Sequence, residues 1–290
     1  MGKVFNALQR ANETVDSSVE EVAMVPSEPQ AVTKVEPVIA SPSPRKEISE
    51  HEAAQLGKWD DRLTLAAVTT GPVAESIRAL RTRILFPSSG KVPRTLLVTS
   101  ASPGEGKSFI CANLGISLAQ GVDNFCLLVD CDLRKPTQHT LFGIPNVMGL
   151  SDYLQHKKQI PELLQPSGIE KFSIFPAGPR SVNPAELLSS AAMARLVDEL
   201  SHRYEDRIVL FDSPPLHAAS ETSVLAQHVD GVVIVVRYGA ARREYIKALA
   251  DAIGREKILG VVFNAYRATV LDYKVFGYYE YQKDYYGEQG

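Results

Sequence analysis

Between Leu96 and Phe263 the chain repeats one pattern: a short run of apolar residues that does not alternate with polar ones, a turn, then a stretch with helical spacing. The runs open at Leu96 and cover Phe125–Val129, Phe172–Phe175, Ile208–Phe211, Gly231–Val236 and Ile258–Phe263. Unbroken apolar runs predict strands buried on both faces, and helices between them predict a parallel sheet. Right-handed crossovers then give a doubly wound, mostly parallel α/β fold. The first helix, PVAESIRALRTRILF from Pro72, has proline at its first turn. At about 100° per residue, Val73, Ile77, Leu80 and Ile84 share a face opposite Glu75, Arg78 and Thr82. A second helix over Phe109–Gln120 turns Ile110, Leu114 and Leu118 to the sheet. Short helices, GLSDYL among them, are expected between Lys135 and Pro161, and one runs from Asn183-Pro184 through Leu188. Ala191–Tyr204 forms a helix on a core face of Met193, Leu196, Val197 and Leu200, with His202 exposed at its end, and Arg242–Ile253 forms the last.

The flanks follow a different pattern. Met1–Arg10 places Val4, Phe5 and Leu8 on one face of a short amphipathic helix, read either as a frayed terminus or as a docking helix. From Asn12 to about Glu50 the chain turns to Glu, Ser, Val and Pro without periodicity, which predicts a disordered linker. At the other end, Tyr273, Tyr278, Tyr279, Tyr281, Tyr285 and Tyr286 crowd into fourteen residues with no period that would bury them. They are either a partner-binding aromatic patch or phosphorylation substrates, each phosphate adding roughly −1.5 to −2 charges. The expected organisation is an extension over 1–58, a nucleotide-binding domain over 59–264 and a tyrosine-rich tail over 265–290.

Composition narrows the class. With 290 residues, 44% apolar and 22% charged, there is material for one core of about 200 residues plus tails. A net charge of −3 and the lack of a basic stripe exclude a nucleic-acid partner. Cys111, Cys126 and Cys131 show no metal-ligand spacing and suit a reduced intracellular compartment. The longest apolar run, Val232–Val236, is far short of the ~20 residues of a membrane helix. A cytoplasmic protein is expected, with any membrane link made through a partner.

The chemistry gathers at three strand ends. ASPGEGKS, Ala101 to Ser108, fits the Walker A spacing with Ala in place of the first Gly, between a strand and a helix. Ser102, Pro103, Gly104, Glu105, Gly106, Lys107, Ser108 and Phe109 are the expected phosphate-binding stretch. Gly104 and Gly106 let backbone N–H groups curl inward, Lys107 sits between the β- and γ-phosphates, and the Ser108 hydroxyl takes Mg²⁺. The second strand ends in Asp130-Cys131-Asp132-Leu133-Arg134, where two neighbouring carboxylates call for a cation, unless they are surface acids in a turn. The strand Ile208–Phe211 ends in Asp212-Ser213-Pro214-Pro215, a Walker B arrangement whose carboxylate holds the magnesium shell.

These pieces together resemble the bacterial tyrosine autokinases of capsule and exopolysaccharide synthesis (BY-kinases), from about Asp61 to the C-terminus. That family combines a Walker A loop, an Asp-x-Asp-x-Arg motif, a Walker B ending in Asp-Ser-Pro-Pro, a Glu-x-x-Arg-x-x-Arg helix and a C-terminal tyrosine cluster. Here they stand as ASPGEGKS, LLVDCDLR, VLFDSPP, Glu75/Arg78/Arg81 and the six tail tyrosines. The resemblance implies a P-loop NTPase fold and ATP with Mg²⁺ as cofactors. Lys107 then binds phosphate, Ser108, Asp132 and Asp212 organise magnesium, and Asp130 is the base for the incoming phenol. Arg134 supports phosphate or the subunit contact, and Asn264 matches a position that the wider P-loop group uses to read adenine. Glu75, Arg78 and Arg81, an ordinary solvated helix face on spacing alone, become a subunit contact of a homo-oligomeric ring. In that ring one subunit's tail enters its neighbour's site. The implied partners are a membrane polysaccharide copolymerase that activates the kinase at the inner face of the plasma membrane, and a protein-tyrosine phosphatase.

The competing reading is a regulatory ATPase of the cell-division-site and chromosome-partitioning type, which shares the fold. Such proteins carry a second lysine where this chain has Ser102, and they lack a tyrosine tail. A scaffold that only binds ATP is disfavoured by the presence of Lys107 and all three acids. The absence of HRD and DFG motifs excludes a eukaryotic-type kinase.

Overall fold

Thr95–Ser100 (β1), TLLVTS, is buried at every position, and the strand alternates its large side chains between two separate cores. In the computed structural model, which describes residues 59–63, 71–87, 90–122, 124–203, 206–216 and 220–266, β1 lies inside a seven-stranded sheet. The other strands are Phe125–Asp130 (β2), Gln165–Pro166 (β3), Phe172–Phe175 (β4), Arg207–Asp212 (β5), Gly231–Arg237 (β6) and Ile258–Asn264 (β7). Their order is β3-β4-β2-β5-β1-β6-β7, parallel throughout except for β3 against β4. The N-terminal helix and linker expected over 1–58, and Tyr273, Tyr278, Tyr279, Tyr281, Tyr285 and Tyr286, lie outside the described residues.

Helices cover both faces, as unbroken apolar strands require. Pro72–Leu85 (α1) and Lys107–Ala119 (α2) pack with Leu96, Val98, Leu128 and Leu210 on one side. Between β2 and β4 come three short helices, Gln138–Leu141 (α3), Leu150–Leu154 (α4) and Ile160–Leu163 (α5). Pro184–Leu188 (α6), Ala191–Arg203 (α7), Glu221–His228 (α8) and Arg243–Ile253 (α9) contribute to the core on the other side, with Leu97, Val129, Phe211 and Ile234. Met193, Leu196, Val197 and Leu200 of α7 are buried, as their spacing predicts. His202 is exposed.

Three expectations need correction. Val73 is exposed and Ala74 is buried in its place, while Ile77, Leu80 and Ile84 pack on the core as their spacing predicts. The sheet is not covered to its edge, because Leu259, Val261 and Phe263 of β7 remain exposed among the described residues. A helix and a strand absent from the sequence reading, α8 and β3, complete the architecture.

The first described residues are fastened to the β4 end. Trp59 donates from Nε1 to the Ser167 carbonyl at 2.8 Å and meets Phe142 edge-on at 5.3 Å between ring centres. Phe142 in turn meets Phe172 of β4, and Asp60 N–H bonds the Leu141 carbonyl at 2.9 Å. Strand order does the rest of the positioning. β1, β5 and β2 lie side by side, with Asp130 paired opposite Asp212, so their C-terminal ends share the edge where open α/β sheets bind ligands.

Candidate active site

β1 stops at Ser100 and the chain turns through Ala101–Gly106 into α2, which begins at Lys107. Gly104 and Gly106 have φ of 79° and 90°, in the left-handed region that a side chain disfavours. At Gly106 a Cβ would also sit 1.9 Å from Asn264 Nδ2. The loop is braced from inside: Glu105 Oε2 accepts the Ser102 N–H at 2.8 Å, and the Glu105 carbonyl accepts Asn264 Nδ2 at 2.9 Å. Asn264, expected to read adenine, is thus also the clamp between the end of β7 and the loop. Arg237 at the end of β6 reaches the Gly104 carbonyl at 3.4 Å, and Tyr238 and Tyr266 meet edge-on at 4.8 Å beside it. Pro103 and Gly104 form the exposed tip of the turn, while Phe109 packs partly against the α1–α2 core.

Lys107 is the centre of charge. Its Nζ lies 3.0 Å from Asp132 Oδ2, 3.2 Å from Ser108 Oγ and 4.0 Å from Asp212 Oδ1. Burial disfavours its charge, but Asp212 and Asp132 more than offset that and hold its pKa above the ordinary lysine value. Asp132 also accepts the Lys135 N–H at 3.0 Å through Oδ1. Asp212 is buried with its pKa raised by desolvation, against the opposing pull of Lys107, Ser108 and Gln138.

Asp130 is 0% exposed. Its Oδ1 accepts the Asp132 N–H at 3.1 Å, and Oδ2 accepts Thr137 N–H at 3.1 Å and Gln138 N–H at 3.0 Å. Desolvation first, then the Asp212 charge, push its pKa to about 8 against those donors. The carboxylate expected to meet a phenol therefore shapes the 131–138 turn in this arrangement and reaches no open surface.

The donor set suits magnesium. Asp212 Oδ1 is a buried acceptor with no hydrogen-bond partner, beside the carboxylate of Asp132 and the hydroxyl of Ser108, all oxygen donors. No cluster of three or more His, Cys, Asp or Glu side chains forms a metal cage among the described residues.

Other expected residues are placed less centrally. Glu75 and Arg78 pair on the outer face of α1, whereas Arg81 turns inward and donates to the Ser117 carbonyl of α2 at 2.8 Å. Arg134, expected to support phosphate or the subunit contact, bonds the buried Glu221 of α8 at 2.9 Å. Gln138 was missed in the sequence: its Nε2 donates to Asp212 Oδ2 at 2.8 Å and to the Ser108 carbonyl at 3.1 Å. The groove between α9 and the start of β7, lined by Ile246, Ala250 and Ile258 with Arg243, Lys247 and Arg255, holds none of these groups. Among the described residues no helix is long and apolar enough to cross a membrane.

No protein-family model matches the chain. Tyrosine-protein kinase YwqD of Bacillus subtilis is 36% identical over 208 residues, 71% of this chain and 86% of that protein. Tyrosine-protein kinase Wzc of Salmonella typhimurium is 34% identical over 210 residues, which is 72% of this chain but only 29% of that longer protein. The solved kinase domain of the Escherichia coli tyrosine kinase ETK aligns with a TM-score of 0.64 at 29% identity, covering 71% of this chain and 82% of that one. The septum site-determining protein MinD of Pyrococcus horikoshii, solved with Mg-ADP, has a TM-score of 0.52 at 20% identity and shares the fold alone. Identity of this extent with YwqD, over a P-loop fold in common with the ETK kinase domain, means that this chain belongs to the bacterial tyrosine kinases of the capsule and exopolysaccharide family.

Proposed function

We propose that this kinase binds Mg-ATP at the β1–α2 loop and transfers the γ-phosphate in trans to the tail tyrosines of a neighbouring copy. The observation that carries the reading is the convergence of Ser108, Asp132 and Asp212 within 4.0 Å of one lysine ammonium, Lys107. Magnesium, when bound with the nucleotide, supplies charge neutralisation across the β- and γ-phosphates. Ser108, Asp132 and Asp212 hold it. Lys107 Nζ carries its positive charge to the phosphate oxygens, and the loop N–H groups orient them. Because a phenol has a pKa near ~10, it loses its proton as its oxygen bonds the γ-phosphorus and the bond from that phosphorus to the β-phosphate oxygen breaks, leaving ADP. Asp130 receives that proton at a carboxylate oxygen, a role that requires the 131–138 turn to admit the phenol and the carboxyl, which burial keeps protonated in this arrangement, to be ionised when it does so.

Phosphate added to Tyr273, Tyr278, Tyr279, Tyr281, Tyr285 and Tyr286 makes the tail strongly anionic, and the charge favours its release. We read α1, through Glu75 and Arg78, as the contact that builds a ring of copies. A membrane polysaccharide copolymerase activates the assembly at the inner membrane face, a tyrosine phosphatase resets it, and the cycle regulates polymer synthesis and export.

A mixing experiment tests this. A size-tagged Lys107→Met chain, inactive but with its tail intact, should acquire tail phosphotyrosine only when wild-type chain and Mg-ATP are added. Release of free phosphate with no protein modification would instead favour the regulatory ATPase.

A further inference from the structure

Gln138, the first residue of α3, is 0% exposed and meets three parts of the site at once. Its amide nitrogen bonds Asp212 Oδ2 at 2.8 Å and the Ser108 carbonyl at 3.1 Å, and its backbone N–H bonds Asp130 Oδ2 at 3.0 Å. The amide has one sensible orientation. Its Oε1 has no partner, and turning the group over would aim that oxygen at two acceptors and lose both bonds. A donor on Oδ2 fixes the plane of the Asp212 carboxylate without neutralising it, and leaves Oδ1 turned toward Lys107 Nζ, 4.0 Å away, and the Ser108 hydroxyl. The helix that carries Gln138 is itself held, since the Leu141 carbonyl takes the Asp60 N–H and Phe142 packs between Trp59 and Phe172.

We propose that Gln138 is a positioning residue for the cation: its amide ties Asp212 to the first turn of α2 so that Asp212 Oδ1 and the Ser108 hydroxyl face one ion together. This rests on the reading that Asp212 and Ser108 hold magnesium with the nucleotide. Groups that orient a metal ligand in this way typically change metal affinity by about 10- to 100-fold when removed. Phosphate contacts made by the loop alone are independent of the amide, so its loss should separate the two.

The test uses the full chain with Gln138→Leu, and with Gln138→Met as a second variant of similar volume should the first not fold. ADP binding is titrated by calorimetry with and without Mg²⁺, and Asp212→Asn is the control. The expected result is unchanged affinity for metal-free ADP and an increase of about tenfold in the Mg²⁺ concentration that half-saturates the magnesium-dependent binding. An equal loss of affinity for metal-free and Mg-bound ADP would assign Gln138 a packing role and overturn the proposal. Unchanged Mg²⁺ dependence in the Gln138 variants, with a shift in Asp212→Asn, would overturn it while leaving the metal site standing. Unchanged dependence in all three would overturn the reading of Asp212 together with it.

Discussion

Burial sets Asp130 and Asp212 against one another beside the Lys107 ammonium, so the charge of each depends on its neighbours. Asp130 makes this measurable. A carboxyl whose pKa is near 4 unfolded and about 8 folded binds more protons in the folded state between those values, so its contribution to stability falls as pH rises through that window. Lys107, raised above its ordinary value, stays charged throughout and adds no slope there. The nucleotide-free protein is therefore expected to lose thermal stability from pH 5 to pH 8, with Asp212, also raised by burial, acting in the same direction, and Asp130→Asn to lessen that slope. A wild-type profile that rises over this range, or an Asn variant with the same slope, would count against the burial argument. The glycine before Lys107 gives a second residue-level expectation. Gly106→Ala forces φ of 90° on a side chain and drives its Cβ into Asn264. A loss of about 1–2 kcal/mol in denaturant unfolding and a marked loss of ADP binding should follow; normal binding would mean that the loop relaxes freely.

At the scale of elements, the sheet was legible because its middle strands are unbroken apolar runs, and each helix with a wide apolar stripe, such as α7, was found within a residue or two. What escaped notice did so for physical reasons. The first turn of α8 buries Glu221 and Thr222, which are satisfied by Arg134 and the Pro214 carbonyl, so polar residues occupy positions a pattern search expects to be apolar. β3 has two residues, one a proline, too few to carry a period. β7 looks fully apolar in sequence yet lies at an edge, where one run of side chains stays in solvent. The three acids and Lys107 were legible from spacing after strands. Gln138 was not, because its role depends on a turn that returns the start of α3 to the first turn of α2 and the end of β5, and no motif marks that path. The junction at Trp59 yields a prediction of its own. Trp59→Ala removes a buried ring and the bond to Ser167, and should cost about 3–5 kcal/mol by chemical denaturation. A change below about 1 kcal/mol would show that this segment is not part of the cooperative core.

At the scale of the molecule, α1 packs on α2 with one face and is proposed as the subunit contact with the other. Arg81 holds α1 to α2, so Arg81→Ala should lower stability by about 1 kcal/mol. Among the described residues Arg78 pairs with Glu75 on the outer face, so Arg78→Ala should leave unfolding unchanged while lowering the mass expected of a ring in light scattering. If both variants keep full assembly, α1 is not the subunit contact. The central claim is that the pocket around Lys107 puts phosphate on tyrosine. Its most direct test is to incubate purified chain with Mg-ATP, map every modified residue by mass spectrometry, and repeat with Lys107→Met. The account predicts phosphotyrosine between Tyr273 and Tyr286 in the wild-type chain and none in the variant. Undiminished phosphotyrosine in Lys107→Met would contradict it.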